Sequence, residues 1–227
     1  RLVNNGTITA TNANGPLRIK TSSLINNGTL AATNSARLII ENPSGLVNNG
    51  QISLTSGRLQ LVSPNIILPT FGTLNADAAS SIELIGTLAG QTLDSNTSPV
   101  GWTLAGATIS GSTLHGVGGV PFYIAQDSTF RPGNTLFENV TLDNAEIRQA
   151  PSSSGVTISG TLTINGVSSI NSLAGISLIG DPHLAGGELR ISNTQLTGSG
   201  SLTVDPGATL TAAGGNLWLQ GPSLVND

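Results

Sequence analysis

A seven-residue segment that recurs at one fixed interval constrains this chain more than any other feature. Residues 2–8 read LVNNGTI, residues 24–30 read LINNGTL and residues 46–52 read LVNNGQI, so each step is 22 residues. A shorter fourth copy, Gly72-Thr73-Leu74, keeps the same register. A repeat of this length is one supersecondary unit that buries its apolar side only by stacking on the next unit. The interval therefore predicts a solenoid.

Each repeat carries two segments in which apolar and polar residues alternate, and this alternation is typical of β-strands with one buried face. The apolar positions in the first two repeats are Ile8 and Ala10, Leu17 and Ile19, Leu30 and Ala32, and Leu38 and Ile40. Glycine and proline interrupt the pattern too often for helices. We expect an all-β fold, a right-handed parallel β-helix (β-solenoid) of about ten coils of roughly 22 residues each.

The pattern predicts a single β-solenoid domain over residues 1–227, because a long all-β fold can form one domain. Residues 1–105 are expected to form regular coils, residues 106–135 irregular wider coils or a lateral loop, and residues 136–227 further coils. In the last segment Leu136, Val140 and Leu142 are expected to stack on Ile158, Leu162 and Ile164 at the same spacing of 22.

The Asn-Asn-Gly element at the start of each repeat is interpreted as a structural ladder. Asn4, Asn26 and Asn48 would hydrogen-bond along the solenoid axis, as stacked amides do. Glycine adopts positive φ without steric cost, so a sharp turn is expected at four positions: Gly6, Gly28, Gly50 and Gly72. The alternative is glycan attachment, because Asn5-Gly6-Thr7 and Asn27-Gly28-Thr29 match the acceptor rule. Asn49-Gly50-Gln51 breaks that rule but keeps the element, which favours the ladder.

Composition argues against several classes of partner and cofactor. Eight scattered Lys and Arg residues and a net charge of -4 do not form the basic patch that nucleic acids require. The absence of cysteine excludes disulfides and thiolate metal sites. No apolar stretch is long enough for a membrane span. The sequence predicts no cofactor, no nucleic-acid partner and no membrane span.

Enzymatic chemistry has little support in the sequence. Glycoside hydrolysis needs two carboxylates facing one sugar, but no two aspartates here are adjacent or two apart. These acids are interpreted as groups that solvate turns. His115 and His183 stand 68 positions apart, which argues against a histidine-based triad. Gly180-Asp181-Pro182, just before His183, reads as a turn. We expect that the protein is not an enzyme.

Four residues form a possible ligand surface in or near the irregular segment 106–135: Trp102, Tyr123, Asp127 and Arg131. Aromatic rings in a chain with few of them could stack against sugars. The alternative is that they cap or plug a widened coil. This segment leaves a second function open, that of a carbohydrate-binding or polysaccharide-degrading β-helix protein.

The LVNNGTI unit resembles the repeats of large secreted bacterial β-solenoids, namely filamentous-haemagglutinin-like exoproteins and autotransporter adhesin passengers. The segment 200–211 (GSLTVDPGATLT) is similar to another unit of such proteins. The resemblance implies an extracellular or cell-surface location and a structural role in a fibre, sheath or adhesin, with surface glycans as possible partners.

The two ends of the chain match each other in the repeat frame. Residues 217–227 align with residues 17–27 at a constant offset of 200. A solenoid end exposes unpaired strand groups and an apolar cross-section, which a capping element usually covers. No capping pattern is visible, so we expect coils to continue past both ends, through head-to-tail stacking of copies into a filament or through further covalent repeats.

Overall fold

The computed structural model describes residues 1–41, 46–67, 70–116, 120–125, 134–150, 155–171 and 174–226. These residues contain β-strands and one short 3-10 turn at Ser95–Thr97, and no α-helix. Parallel stacked coils of about 22 residues form a β-solenoid of about nine turns. The all-β, parallel-coil fold predicted from the repeat is therefore confirmed.

The strands, in chain order, follow the repeat. From the start of the chain they are β1 (Leu2–Asn4), β2 (Thr7–Ala10), β3 (Leu17–Lys20), β4 (Leu24–Asn26), β5 (Thr29–Thr33), β6 (Arg37–Glu41), β7 (Leu46–Thr55), β8 (Arg58–Ile66), β9 (Thr70–Ala76), β10 (Ser81–Ala89), β11 (Thr92–Asp94) and β12 (Trp102–Ala105). The later strands are β13 (Thr108–Ser110), β14 (Thr113–His115), β15 (Phe122–Ala125), β16 (Thr135–Asp143), β17 (Glu146–Gln149), β18 (Val156–Asn171), β19 (Ile176–Ser192), β20 (Thr194–Gly198), β21 (Ser201–Val204), β22 (Thr209–Ala212), β23 (Leu217–Gln220) and β24 (Ser223–Asn226).

Contacts divide the chain into two compact units. Unit one comprises Arg1–Thr87 with Asn96–Thr103, and unit two comprises Leu88–Ser95 with Leu104–Asp227.

In unit one the 22-residue spacing sets the register. Ile8 pairs with Leu30, Leu30 with Ile52 and Ile52 with Leu74, all in parallel strands. Leu30 and Ile52 are completely buried. This apolar column is the one that the alternation predicts, and the hydrophobic effect holds each coil on the next.

The glycines of the Asn-Asn-Gly element do not have the predicted turn conformation. Positive φ occurs elsewhere in the chain, and Gly28 and Gly50 are outside that region. The turn argument is therefore wrong. The structure shows a different constraint, because a Cβ atom on Gly28 would lie 2.0 Å from the carbonyl oxygen of Gly6, and one on Gly50 would lie 2.1 Å from that of Gly28. Glycine is required here by the close approach of successive coils.

In unit two one of the predicted stacking partners is wrong. Val140 pairs with Leu162 and Leu142 with Ile164, as expected, but Leu136 pairs with Thr157. The register shifts between Glu138 and Val140, where Asn139 has a φ of 52°. The extra residue is in β18, where Gly160 and Thr161 lie opposite the single residue Asn139. It shifts the preceding pairs by one position, which changes the face that each predicted partner presents. Phe137, not Leu136, is consequently the buried residue that pairs with Ile158.

The described parts of segment 106–135 belong to a longer coil. Thr108 pairs with Leu136 and Thr113 with Thr141, so the offset here is 28 residues. Phe122 in β15 is completely buried and pairs with Ile147 of β17. The extra length therefore leaves the inward apolar column of unit two intact.

Candidate functional site

Two ladders of asparagine side chains follow the repeat in unit one. In the inner ladder the Nδ2 of Asn4 donates to the Oδ1 of Asn26 over 2.7 Å, and the Nδ2 of Asn26 donates to the Oδ1 of Asn48 over 2.6 Å. All three residues are buried, and Asn26 is completely so. The same Nδ2 of Asn26 also donates to the carbonyl of Gln51. Buried amides with satisfied donors and acceptors hold adjacent coils in register.

The outer ladder consists of the second asparagine of each element. Asn27 donates to the Oδ1 of Asn5, and Asn49 donates to the Oδ1 of Asn27, each over 2.9 Å. These side chains are exposed. In this arrangement the Nδ2 of Asn27, the atom that a glycan would modify, is engaged in a hydrogen bond.

The two described residues of the predicted ligand surface differ in exposure. Trp102 is completely buried, in unit one, and so cannot stack against a ligand at the surface. Tyr123 is half-buried on β15 in unit two, beside Arg148 of β17. Asp127 and Arg131 lie outside the described residues. Tyr123 is thus the one described member that still faces a polar surface.

That surface, here called the polar strip, comprises Glu146, Arg148, Asn171 and Ser192 on three successive coils of unit two. Arg148 Nε donates to Glu146 over 2.7 Å, Asn171 Nδ2 donates to the same carboxylate oxygen over 3.0 Å, and Ser192 Oγ donates to Asn171 over 2.9 Å. An open depression of about 370 Å³ lies over Glu146, Arg148, Gln149 and Asn171. The strip presents hydrogen-bonding groups at the spacing of the coils.

Charges on and beside the polar strip are paired. The hydrogen bond from Arg148 to Glu146, and the charge of Glu146, raise the pKa of the guanidinium. In the register column of Glu146, two coils further on, Arg190 makes two hydrogen bonds of 2.9 Å to Glu188, and Thr211 also donates to Glu188. These bonds, that of Arg190 first, lower the pKa of the Glu188 carboxyl. Both arginines keep about half of their side-chain surface exposed, so they remain accessible to an anionic group.

Sequence reasoning missed two histidine–aspartate pairs in unit two. His115 Nδ1 lies 2.6 Å from Asp143 Oδ2, and His183 Nδ1 lies 2.9 Å from Asp205 Oδ1. The partners are 28 and 22 residues apart, so in each pair the aspartate comes from the next coil. A search for carboxylates one repeat away from each histidine would have found the second pair, but the lengthened coil conceals the first.

Two aspartates also bind backbone groups of an adjacent coil. Asp77 accepts hydrogen bonds from the Ser56 amide at 3.0 and 2.9 Å and from the Ser80 hydroxyl at 2.7 Å. The Ser80 bond, followed by that of Ser56, lowers the pKa of Asp77. Asp181 likewise accepts bonds from the amide and hydroxyl of Ser201. Asp77 therefore binds the backbone at a turn, as we predicted for the acids, whereas Asp181 lies within β19 and binds Ser201 of the next coil.

The last two strands of unit two expose apolar residues that the pattern would direct inward. Leu219 is 50% exposed and Leu224 is 47% exposed, although their register partners Leu196 and Leu202 are buried. Trp218 and Val225 are also exposed. We call β23 and β24 the open edge.

No family model, no curated protein and no solved structure matches the chain. Within the described residues no group of three or more His, Cys, Asp or Glu residues could hold a metal ion. The same residues include no helix that is long and apolar enough to cross a membrane.

Proposed function

We propose that the chain is a non-enzymatic structural protein, a β-solenoid segment of a bacterial extracellular fibre, sheath or surface adhesin. The segment extends along its axis when a further coil stacks on the open edge. That coil comes from a second copy, head to tail, or from a covalent continuation of the repeat. The open edge is the observation that carries this proposal.

At the open edge an inward column of unit two becomes exposed. Leu196 is 1% exposed, whereas Leu219, one coil further along the same column, is 50% exposed. β23 pairs with β20 and β24 pairs with β21, and the outer side of an edge strand is a template for another strand. A stacked coil would remove the apolar surface from water.

The first coil of unit one has the same character. Leu2 and Ile8 are half-buried, while their partners Leu24 and Leu30 are completely buried. If the open edge of one copy stacks on the first coil of another copy, two different surfaces meet, which is a heterologous contact. Such contacts produce open filaments when the rotation between copies does not close a ring.

The extracellular location and the adhesin class rest on the similarity of the LVNNGTI repeat to secreted bacterial solenoids. We propose a non-catalytic role because the described acids have structural partners. Asp77 and Asp181 accept hydrogen bonds from backbone amides, and Glu146 and Glu188 accept them from arginines. None of these contacts brings together two carboxylates that face one sugar, as glycoside hydrolysis requires.

Electron microscopy and sedimentation of the purified chain over a range of concentrations test the proposal. We expect rods that lengthen with concentration. Leu224→Lys places a charge in the inward column of the open edge and should abolish lengthening. Ser223→Lys on the same strand adds the same charge at an outward position and should leave lengthening intact. Copies that remain single at every concentration would contradict self-stacking and leave covalent continuation as the means of extension.

The polar strip favours a second candidate function, binding of polysaccharide. It combines an exposed guanidinium, a carboxylate and an amide with the ring of Tyr123 on the preceding coil. Sugars are bound by such planar polar groups together with an aromatic face. On a glycan array Tyr123→Ala and Arg148→Ala should each reduce binding, and Arg37→Ala in unit one should not. Equal signals from all variants would exclude this site.

A further inference from the structure

Residues 180–182 (Gly-Asp-Pro) form a bulge in β19 of unit two. Ile179 pairs with Ser159 and His183 pairs with Thr161, so these three residues lie opposite the single residue Gly160. Gly180 has a φ of 68°. The Asp181–Pro182 peptide bond is therefore outside the regular hydrogen-bonded ladder, in a locally distorted stretch of backbone.

The carboxylate of Asp181 is exposed and held by the next coil. Its Oδ1 accepts hydrogen bonds of 2.9 Å from both the amide and the hydroxyl of Ser201. These two bonds, the amide first, lower the pKa of Asp181, and the charge of His183 contributes in the same direction. The carboxylate consequently stays ionised in mildly acidic solution, with its Oδ1 held by Ser201.

His183 directly follows Pro182 in the chain and is exposed. Its Nδ1 lies 2.9 Å from Asp205 Oδ1, which orients the ring and leaves Nε2 to donate a proton. The residues in register with His183 on the adjacent coils are threonines, Thr161 and Thr203. The charged groups of the described residues that face the imidazole are thus Asp181 and Asp205.

We propose that the Asp181–Pro182 bond is a site of self-cleavage. A carboxylate oxygen of Asp181 attacks its own carbonyl carbon and closes a five-membered ring. The bond from that carbon to the proline nitrogen breaks, and the nitrogen takes a proton from the His183 imidazolium. Water then opens the cyclic anhydride, which leaves a carboxyl terminus at Asp181 and a secondary amine at Pro182.

The carboxylate, the proline nitrogen and the imidazole each have chemistry suited to their step. The attacking carboxylate is intramolecular, which replaces a bimolecular encounter by a positioned one. The nitrogen of an X–Pro bond belongs to a tertiary amide, so its product is a secondary amine that leaves once protonated. Imidazole is the side chain that gains a proton between about pH 5 and 8 and can supply it as a general acid.

Cleavage would cut one coil without releasing the pieces. Residues 176–179 stay paired with β18, and His183 and Leu184 stay paired with Thr161 and Leu162 of the same strand. The two pieces, 1–181 and 182–227, are therefore expected to remain assembled in native buffer and to separate in denaturant.

The experiment is intact-mass analysis in denaturant after incubation of the folded chain between about pH 5 and 6 and at about pH 7.5, the two sides of imidazole titration. We expect two pieces whose masses sum to that of the intact chain plus one water, with faster formation at the lower pH. The chain contains a matched internal control, Asp205–Pro206, which is followed by Gly207 instead of histidine. Chain unfolded in urea at the same pH measures how both bonds behave without the fold.

In the folded protein cleavage after Asp181 should exceed cleavage after Asp205, and unfolding should abolish the difference. His183→Ala should slow cleavage after Asp181 by about a hundredfold or more, the usual loss for a general acid, and Pro182→Ala should prevent it. His183 is exposed, and circular dichroism checks that its variant is folded. Equal rates at the two bonds in the folded wild type, or an unchanged rate in His183→Ala, would overturn the proposal.

Discussion

Gly28→Ala should destabilise unit one because of the close approach of two coils. The new Cβ would lie 2.0 Å from the carbonyl oxygen of Gly6 and 2.9 Å from the carbonyl carbon of Asn5. Both neighbours are backbone, so the coils must separate locally. That carbonyl of Gly6 also accepts the Thr29 amide over 2.8 Å, and the same displacement weakens this bond. Overpacking costs about 1–3 kcal/mol and a lost hydrogen bond about 1 kcal/mol, so we expect a loss of about 2–4 kcal/mol.

Gly6→Ala is the matched control. It is the same position of the preceding repeat, and a Cβ there meets no atom within 4 Å. We expect its free energy of unfolding to change by less than about 0.5 kcal/mol. Neither glycine has positive φ, so a conformational penalty cannot account for a difference between the two variants.

Urea unfolding followed by tryptophan fluorescence provides the measurement. A Trp218→Phe background leaves Trp102, which is buried in unit one, as the single tryptophan. The midpoint should fall for Gly28→Ala and stay unchanged for Gly6→Ala, with equal slopes. Equal midpoints for the two variants would refute the close-approach argument.

Four further substitutions test the packing and the charges of unit one. Leu30→Asp places an unpaired charge in a fully buried column and should cost more than about 4 kcal/mol in the same urea assay, with collapse of the coils it contacts; a soluble variant with unchanged unfolding would refute the register. Asn26→Ala leaves buried hydrogen-bonding groups of the inner ladder unpaired and should cost about 1–3 kcal/mol, whereas Asn27→Ala in the exposed outer ladder should cost less than about 0.5 kcal/mol; equal losses would contradict the distinction. The pKa of Asp77 is lowered in the folded state, so its contribution to stability is present above the ordinary aspartate pKa and is lost as the pH falls below about 4. Asp77→Asn should reduce this loss in an acid titration of unfolding, and an identical acid dependence would show that the carboxylate contributes nothing.

The open edge shows how position in the stack, not residue type, decides exposure. Leu202 and Leu224 are both inward residues of paired strands, yet the first is 6% exposed and the second 47%. A propensity for strand or a hydrophobic pattern assigns them the same environment. Only the arrangement of coils distinguishes them, because burial of each coil depends on its neighbour.

The polar strip and the pair His115–Asp143 could not be derived from the repeat spacing. Glu146 and Asn171 are 25 residues apart, and His115 and Asp143 are 28 apart, so the constant spacing of the first repeats does not relate them. The bulge in β18 opposite Asn139 and the longer coil change the register in this part of the chain. Tyr123 could be identified as a surface candidate because aromatic residues are scarce in this chain. Its neighbour Arg148 could not be identified in this way.

The sequence by itself determined the strands, their parallel stacking and the pairing of residues in the regular repeats. A 22-residue period with alternating apolar positions has one economical solution, in which Ile8, Leu30 and Ile52 share a column. Only the tertiary structure shows that the close approach of two coils requires glycine at position 28. It also shows that Phe137 is buried instead of Leu136 and that Trp102 belongs to the core. These outcomes depend on distances between coils and on single-residue bulges. A period in the sequence fixes which residues are neighbours, whereas backbone separation and face depend on the three-dimensional path of the chain.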